Sequence, residues 1–250
     1  MISKEENHAD CTFVVVSDTG VSHRVKGVPN QDAADYVSIN GDFALAVSDG
    51  VGSCKKAELG SAAAVEAIKR VFLSLQGQPF PSVLKKITRR IVDEWVSLLA
   101  GANPDDCCAT LKAAMKLGDK LLLISVGDGL LAVSSSGMKC CAPSENTLFT
   151  NQTQCLNSSI KEDDFWTSVF KLDIYVPYVV FGKRQIFLRI SNGIQEGREM
   201  DLIKEIETQI TASELQSELE TLLVDISDYS SDDRTVGVVK YERTNAKSDR

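Results

Sequence analysis

The sequence lacks several features that define common functional classes. Its seven cysteines include no CxxC pair, which argues against a zinc-binding module. A formal net charge of −8 argues against nucleic acid as a partner. No apolar run reaches the roughly 18 residues of a membrane span, and the polar start, Met1 to Asp10, does not resemble a signal peptide. We therefore expect a cytoplasmic protein, away from membranes, whose thiols are reduced and mostly form part of the core.

The chain has the composition of a globular protein, with 250 residues, 43% hydrophobic and 25% charged. It contains no internal repeat, and we predict a single domain spanning residues 1–250. The segment 135–164 is rich in Ser, Asn, Thr and Gln, which predicts a mobile flap or insert. Residues 242–250 form a polar tail. The sequence carries no signal for an oligomeric state.

Hydrophobic patterns predict both strands and helices. The turn Asn40-Gly41-Asp42 predicts a hairpin, and Ala64, Ile68, Val71 and Leu75 fall on one helical face. The predicted strands are 11–17, 36–39, 43–48, 109–115, 120–126, 130–134, 169–174, 186–190 and 235–241. The predicted helices are 57–75, a helix capped by Ser82 and running to Leu98, 199–210 and 213–226. This irregular order favours an α+β layered fold, with helices outside a β-sandwich, over alternating βαβ units.

Short acidic turns follow or precede the apolar strands at four places. Carboxylates beside glycines at strand ends provide the oxygen ligands that hard divalent cations need. An isolated Asp-Gly is usually a plain turn, but four such turns together predict one composite metal site. A fifth turn has an amide where an acid is expected. The five turns are Asn30-Gln31-Asp32, Ser48-Asp49-Gly50-Val51-Gly52, Val126-Gly127-Asp128-Gly129, Asp232-Asp233-Arg234-Thr235-Val236 and Ser191-Asn192-Gly193.

In this order the turns resemble the metal-dependent protein phosphatases of type 2C, from about Cys11 to Tyr241. The stretch from Gly20 to Ala33 is similar to a bacterial branch of that family. The resemblance implies a four-layer α-β-β-α sandwich with two central antiparallel sheets. It also implies two or three Mn²⁺ or Mg²⁺ ions as cofactors. The implied partner is a phosphorylated protein, the substrate of a Ser/Thr kinase.

The resemblance also implies roles for individual residues. Asp49 matches the carboxylate that bridges two metals, Asp32 supports the site and its waters, and both are expected to be catalytic. Asp233 takes a structural position. Binding of the substrate phosphate is assigned to His23 and Arg24, of which His23 is the better candidate. An equal alternative is that His23 only forms hydrogen bonds with the backbone of its own loop. The implied metal ligands are Asp32, Asp49, the carbonyl of Gly50, Asp128, Asn192 and Asp232.

Three positions depart from the family pattern, and the mildest is Gln31, where many members have Glu. Asn192 stands where the family has a metal-binding Asp, so the site loses a negative charge. At an effective dielectric of about 20, unit charges about 4 Å apart interact by about 4 kcal/mol. We therefore expect weaker binding of the first metal. The second departure is Gly27, which occupies the place of a phosphate-binding Arg.

Three functions remain open at this point. The first is hydrolysis of phosphoserine and phosphothreonine on proteins, in which two cations activate a shared water that attacks phosphorus in line. The second is a pseudophosphatase that binds phosphoproteins or a partner without turnover, which Asn192 and Gly27 favour. The third is hydrolysis of a small phosphate ester. The retained acids Asp32, Asp49 and Asp232 favour the first.

Overall fold

The computed structural model describes residues 1–8, 11–80, 84–135, 138–141, 154–171, 175–182, 211–227 and 231–242. These residues contain eleven strands and four α-helices. The strands are β1 (Ile2–His8), β2 (Cys11–Asp18), β3 (Asp32–Ile39), β4 (Asp42–Asp49), β5 (Leu111–Leu117), β6 (Lys120–Val126), β7 (Leu130–Ser135), β8 (Met138–Cys141), β9 (Trp166–Lys171), β10 (Tyr175–Gly182) and β11 (Arg234–Glu242). The helices are α1 (Val21–Lys26), α2 (Ala57–Leu75), α3 (Leu84–Leu98) and α4 (Ala212–Ser227).

The strands form two sheets, and every strand pair within them is antiparallel. One sheet has six strands in the order β1-β2-β11-β10-β7-β8, and the other has five in the order β3-β4-β5-β6-β9. Helices α2 and α3 cover the outer face of the five-stranded sheet, and α4 covers that of the six-stranded sheet. The predicted α+β fold, a four-layer α-β-β-α sandwich, is confirmed.

Each pair of adjacent layers encloses its own apolar core. Between the sheets, Phe13, Phe43 and Leu123 belong to a buried cluster contributed by both inner faces. Outside the five-stranded sheet, a larger cluster includes Phe72 and Trp95 of the covering helices. Because side chains alternate along a strand, each central strand contributes to two of these cores.

Several predicted elements are confirmed. The hairpin turn is present, with Asn40 and Gly41 at φ values of 51° and 79°, the left-handed region that such a turn requires. Helix α2 has the predicted bounds, and its buried face includes Ile68 and Val71. The strand predicted at 169–174 lies earlier, as β9, because Trp166 to Lys171 pairs with β6.

Other predictions were incomplete or lie outside the described residues. Strands β1, β8 and β10 and helix α1 were not predicted from the sequence, and β8 lies within the segment 135–164 that was predicted to be a flap. Strand β1 was not predicted because its charged sequence has no apolar pattern, although its backbone pairs with β2 throughout. Within the predicted flap, residues 154–164 include a 3₁₀-helix at Glu162–Asp164, and 142–153 lie outside the described residues. So do Ser82, the strand 186–190, the helix 199–210 and the tail beyond residue 242.

The helices of the described part of the chain are too short or too polar for a bilayer. None of them combines the length and the apolar character that crossing a membrane requires. The apolar faces of α2, α3 and α4 instead pack on the sheets.

Candidate metal centre

Strand pairing brings the first two predicted acids together. Asp32 begins β3 and Asp49 ends β4, and the antiparallel register makes these two residues direct partners. The Gly50 amide donates to the Gln31 carbonyl at 3.0 Å, which extends the pairing one residue beyond the strands. Asp32 is buried and Asp49 is half-buried. Two carboxylates therefore lie side by side at one end of the sandwich.

The backbone of Asp49 is held from its other side by Thr110. The Thr110 amide donates to the Asp49 carbonyl at 2.8 Å, and the Asp49 amide donates to the Thr110 hydroxyl at 3.0 Å. The Ser48 hydroxyl donates to the Thr110 carbonyl. Asp49 is thus fixed between β3 and residue 110, which limits how far its carboxylate can move. Thr110 was not predicted from the sequence to be part of the site.

The turn after β6 brings Asp128 to the same place. Gly127 has a φ of 78°, and a Cβ there would lie 2.3 Å from the carbonyl oxygen of Gln154, so only glycine fits. Asp32, Asp49 and Asp128 line one small pocket. The remaining residues that line this pocket are Val47, Ser48, Thr110, Lys112 and Gly129. Three of the predicted acids therefore share one pocket.

A buried lysine lies in this pocket beside the acids. Lys112 is 3% exposed, and its ammonium donates to the Ser125 hydroxyl at 2.7 Å and to the carbonyls of Val126 and Gly127. These bonds fix the start of the turn that carries Asp128. Lys112 was not predicted from the sequence to be part of the site, and the available signal was a charged residue in a strand whose residues are apolar except for Lys112 and Lys116.

Asp232 and Asp233 lie in a second group, next to the pocket. Asp233 is 1% exposed, and its carboxylate accepts from the amides of Gly20 and Gln31 at 2.7 and 2.6 Å. Its Oδ2 also lies 2.8 Å from Nδ1 of His23. Asp233 therefore ties three chain segments together, in agreement with the structural position that its sequence implied. It also brings Asp232, its neighbour, beside the segment that carries Asp32.

His23, Asp232 and Asp233 resemble a metal-binding group by distance alone, since one ligand atom of each lies within 4.8 Å of the others. However, both carboxylate oxygens of Asp233 accept hydrogen bonds from backbone amides. We therefore interpret this group as a loop anchor and not as an independent metal site.

The second phosphate-binding candidate, Arg24, lies on α1. Its Nη1 lies 3.2 Å from Oδ1 of Asp18, and its side chain is about half exposed. Asp18 also accepts a hydrogen bond from Nη2 of Arg234, whose side chain is fully buried. Asp18 and Arg234 were not identified from the sequence. The short helix α1, which carries His23 and ends before Gly27, was not predicted from the sequence.

The structure brings Asp32, Asp49 and Asp128 into one pocket. It groups His23 and Asp232 around Asp233, which also binds the Gln31 amide next to Asp32, whereas Arg24 contacts Asp18. Asn192 lies outside the described residues. The described donors of the pocket are carboxylate oxygens, which suit Mg²⁺ or Mn²⁺ better than they suit Zn²⁺. The donor set therefore fits a hard divalent cation.

The sequence matches one family profile and one known protein. The profile of the protein phosphatase 2C family matches residues 19–227. Stage II sporulation protein E of Priestia megaterium is 28% identical over 142 residues, which cover 51% of this chain and 23% of that protein. The chain therefore matches only about a quarter of that relative.

Two solved structures with a similar fold contain bound metal ions. The catalytic domain of PstP, a serine/threonine protein phosphatase in complex with two manganese ions, superposes with a TM-score of 0.68, at 16% identity, over 94% of this chain and 99% of that one. RsbX in complex with magnesium gives 0.65 at 14% identity, over 96% of this chain and 100% of that one. At these identities the similarity establishes the fold alone.

Proposed function

The chain belongs to the protein phosphatase 2C family, and from this membership we propose that it hydrolyses phosphoserine and phosphothreonine on proteins in a metal-dependent reaction. One observation carries the proposal. The β3–β4 register makes Asp32 and Asp49 partners, and Asp128 lines the same pocket although it is about 80 residues away in sequence. A fold that only bound a partner would not require three buried or half-buried acids to converge, because like charges in proximity cost free energy.

The proposed cofactors are Mn²⁺ or Mg²⁺, which agrees with the ions bound by PstP and RsbX. We assign Asp32, Asp49, the Gly50 carbonyl, Asp128 and Asp232 to hold these ions, with Asn192 as an additional predicted ligand. When bound, such ions lower the pKa of a shared water and stabilise charge on the phosphoryl oxygens.

The chain's own groups supply orientation and charge. Asp49 cannot shift easily because its amide and carbonyl are both bonded to Thr110. Preorganisation of this kind avoids reorganisation cost during the reaction. Asp32 and Asp49 orient the attacking water by accepting its hydrogen bonds. The half-exposed guanidinium of Arg24 is accessible to a substrate phosphate, whereas Nδ1 of His23 faces Asp233.

A second function is supported by one observation. Asn192 replaces a charged ligand by an amide, and the protein could then bind phosphoproteins without turnover. A phosphoprotein of a Ser/Thr kinase is the proposed partner in either case. A cytoplasmic location, a single domain over 1–250 and the phosphate-binding role of His23 and Arg24 remain proposals that accompany this function.

The deciding experiment measures phosphate release in Mn²⁺ titrations from micromolar to millimolar. The substrates are p-nitrophenyl phosphate and a set of phosphoserine and phosphothreonine peptides. The variants are Asp49→Asn, Asn192→Asp and, as a matched control, Asp119→Asn, which changes an exposed acid in the β5–β6 turn. We expect the unmodified chain and Asp119→Asn to be active and Asp49→Asn to lose at least about a hundredfold in activity.

Other outcomes select other functions. If the unmodified chain releases no phosphate and Asn192→Asp does, the protein is a phosphatase fold that is inactive because of one metal ligand. Activity on the small ester but on no phosphopeptide would favour a small-molecule phosphatase. If neither the unmodified chain nor Asn192→Asp releases phosphate but both still bind phosphopeptides, the enzymatic function is contradicted and the binding function is established.

A further inference from the structure

Three cysteines meet directly behind the Asp49 turn. The structure describes the side chains of five cysteines, of which Cys11, Cys107 and Cys155 are buried, as the sequence predicts. Cys54 and Cys108 are half-exposed. Their thiols donate to the same acceptor, the Asp105 carbonyl, at 3.4 and 3.3 Å. These two thiols therefore point into the same small space.

The backbone holds the two cysteines together. The Val51 amide donates to the Cys108 carbonyl, and the Lys56 amide donates to the Asp106 carbonyl, each at 2.8 Å. Cys54 lies between these two bonds. The loop that carries Cys54 is thus fastened on both sides to the segment that carries Cys108, and the two thiols cannot separate without breaking backbone bonds.

The thiols also influence one another. Burial, and then hydrogen bonding with Cys54, raises the pKa of the Cys108 thiol. The Cys155 thiol also contacts Cys108, and burial raises the pKa of Cys155. A protonated thiol reacts slowly with oxidants, so any oxidation of this group requires sustained exposure. Cys155 is 9% exposed, which makes it the least accessible of the three.

We propose that Cys54 and Cys108 are a modification site that forms a disulfide when the protein is exposed to a hydroperoxide. The Cys54 thiol first reacts with the peroxide to give a sulfenic acid and water or an alcohol. The Cys108 sulfur then attacks the Cys54 sulfur and forms the S–S bond, and the sulfenic oxygen leaves as a second water together with the Cys108 proton. The two thiols lose two electrons in total and the peroxide O–O bond is reduced.

The disulfide would change the metal centre. An S–S bond is about 2 Å long, so Cys54 must move towards Cys108. Cys54 lies four residues after Gly50, and Cys108 lies two residues before Thr110, which holds the backbone of Asp49. Oxidation would therefore displace the turn that presents Asp49 and the Gly50 carbonyl. This consequence rests on the proposed function, whereas formation of the disulfide does not.

The test maps disulfides in the folded, metal-free protein after treatment with hydrogen peroxide, alkylation of the remaining thiols and non-reducing proteolysis. We expect one cross-linked pair of peptides that contains Cys54 and Cys108 and that disappears on reduction. Cys54→Ser and Cys108→Ser should each abolish it. Cys107→Ala is the matched control, because it changes the adjacent cysteine in sequence and should leave the cross-link intact.

Three outcomes would overturn the proposal. These are the absence of any cross-link, a cross-link that joins Cys108 to Cys155, and a cross-link that persists in Cys54→Ser.

Calorimetry with Mn²⁺ tests the effect of the disulfide on the metal centre separately. We expect oxidised protein to bind Mn²⁺ at least about tenfold more weakly, with recovery after reduction. A mapped disulfide with unchanged Mn²⁺ binding would keep the modification site and contradict its link to the metal centre. Failure of Mn²⁺ to bind the reduced protein would count against the proposed function alone.

Discussion

At the scale of single residues, the inner face of β5 carries a lysine near each end. Lys112 bonds the Gly127 turn at the metal end, and Lys116 bonds the Gly41 carbonyl and Asp42 at the opposite end, at 2.7 and 3.0 Å. Both are buried, and Ala114 between them faces the core between the sheets. The two lysines have matching burial and similar partners, but only Lys112 lines the pocket of the acids.

Replacing Lys112 with Met should separate its two effects. The Ser125 and Gly127 oxygens would lose their donor, so we expect the free energy of unfolding to fall by about 1–3 kcal/mol. The pocket would lose a positive charge, so the Kd for Mn²⁺ should fall about tenfold, which corresponds to ~1.4 kcal/mol. Urea denaturation and calorimetry measure the two quantities. Lys116→Met should destabilise the fold comparably and leave the Kd unchanged; equal Kd values for both variants would show that Lys112 acts only on the fold.

At the scale of elements, helix α2 packs between the five-stranded sheet and α3, and it also contacts the segment that carries Cys107. Gly60 is the point of closest approach, because a Cβ on it would lie 1.8 Å from the Cys107 carbonyl oxygen. The Gly60 carbonyl also accepts a hydrogen bond from Nε1 of Trp95, a fully buried side chain of α3, at 3.1 Å. One residue without a side chain thus sets the spacing of three elements.

Gly60→Ala should therefore displace α2 despite the better helix propensity of alanine. We expect the free energy of unfolding to fall by about 3 kcal/mol, the upper part of the range for overpacking. Ala62→Gly, at an exposed position of the same helix, should cost only about 1 kcal/mol. Chemical denaturation compares the two variants, and a Gly60→Ala protein as stable as the parent would show that the contact relaxes freely.

The joint between β3 and α2 should make stability depend on pH. Burial raises the pKa of Asp35, but hydrogen bonds and charge from Lys69, with a further bond from Lys4, outweigh it and leave the pKa of Asp35 lowered. Burial lowers the pKa of Lys69, but Asp35 and Glu66 leave it raised. The Asp35 contribution is therefore present above its unfolded pKa and is lost as the pH falls through the folded pKa. The Lys69 contribution is present below its unfolded pKa and is lost as the pH rises through the folded pKa.

Asp35→Asn measures this contribution. Its destabilisation relative to the parent should be constant near neutral pH and should shrink below about pH 4, where the carboxyl of the unfolded parent becomes protonated. Urea denaturation at a series of pH values provides the test, with Asp119→Asn as the exposed control. A destabilisation that is independent of pH would mean that the ionised form of Asp35 contributes nothing to stability beyond what the neutral form contributes.

At the scale of the whole molecule, the proposed metals should link the two sheets. The acids of the pocket come from the five-stranded sheet and the turn after β6, whereas Asp232 precedes β11 of the six-stranded sheet. An ion held by both groups binds only the folded protein. At a Mn²⁺ concentration of about 100 Kd it should add about 2.7 kcal/mol to the stability, which raises Tm by roughly 2–4 °C per kcal/mol for a chain of this size. Thermal unfolding with and without Mn²⁺ checks this, and the increase should disappear in Asp49→Asn and persist in Asp119→Asn.

The sequence predicted those features that depend on local pattern. The Asn40-Gly41 turn and the helical face of α2 were evident because turn chemistry and periodicity act over a few residues. The acidic turns at strand ends predicted that Asp32, Asp49 and Asp128 form one site, whereas the role of each residue was predictable only through the resemblance to a family. The proximity of Cys54 and Cys108 could not be predicted, since it results from long-range packing that no local pattern encodes. Lys112 was visible in the sequence only as a charged residue in a mainly apolar strand, and no local pattern indicated its partners.

The place of β11 within the six-stranded sheet has a consequence for biosynthesis. This strand, Arg234–Glu242, is the last described element, yet it lies between β2 and β10 and joins the two halves of its sheet. The hairpins β3-β4 and β5-β6 of the other sheet can form as they leave the ribosome, because the two strands of each hairpin are adjacent in sequence. Strand β2 can pair with β11 only after over 200 further residues have been translated. We therefore expect a nascent chain that is half folded, with an open sheet edge exposed to chaperones, until β11 has been translated.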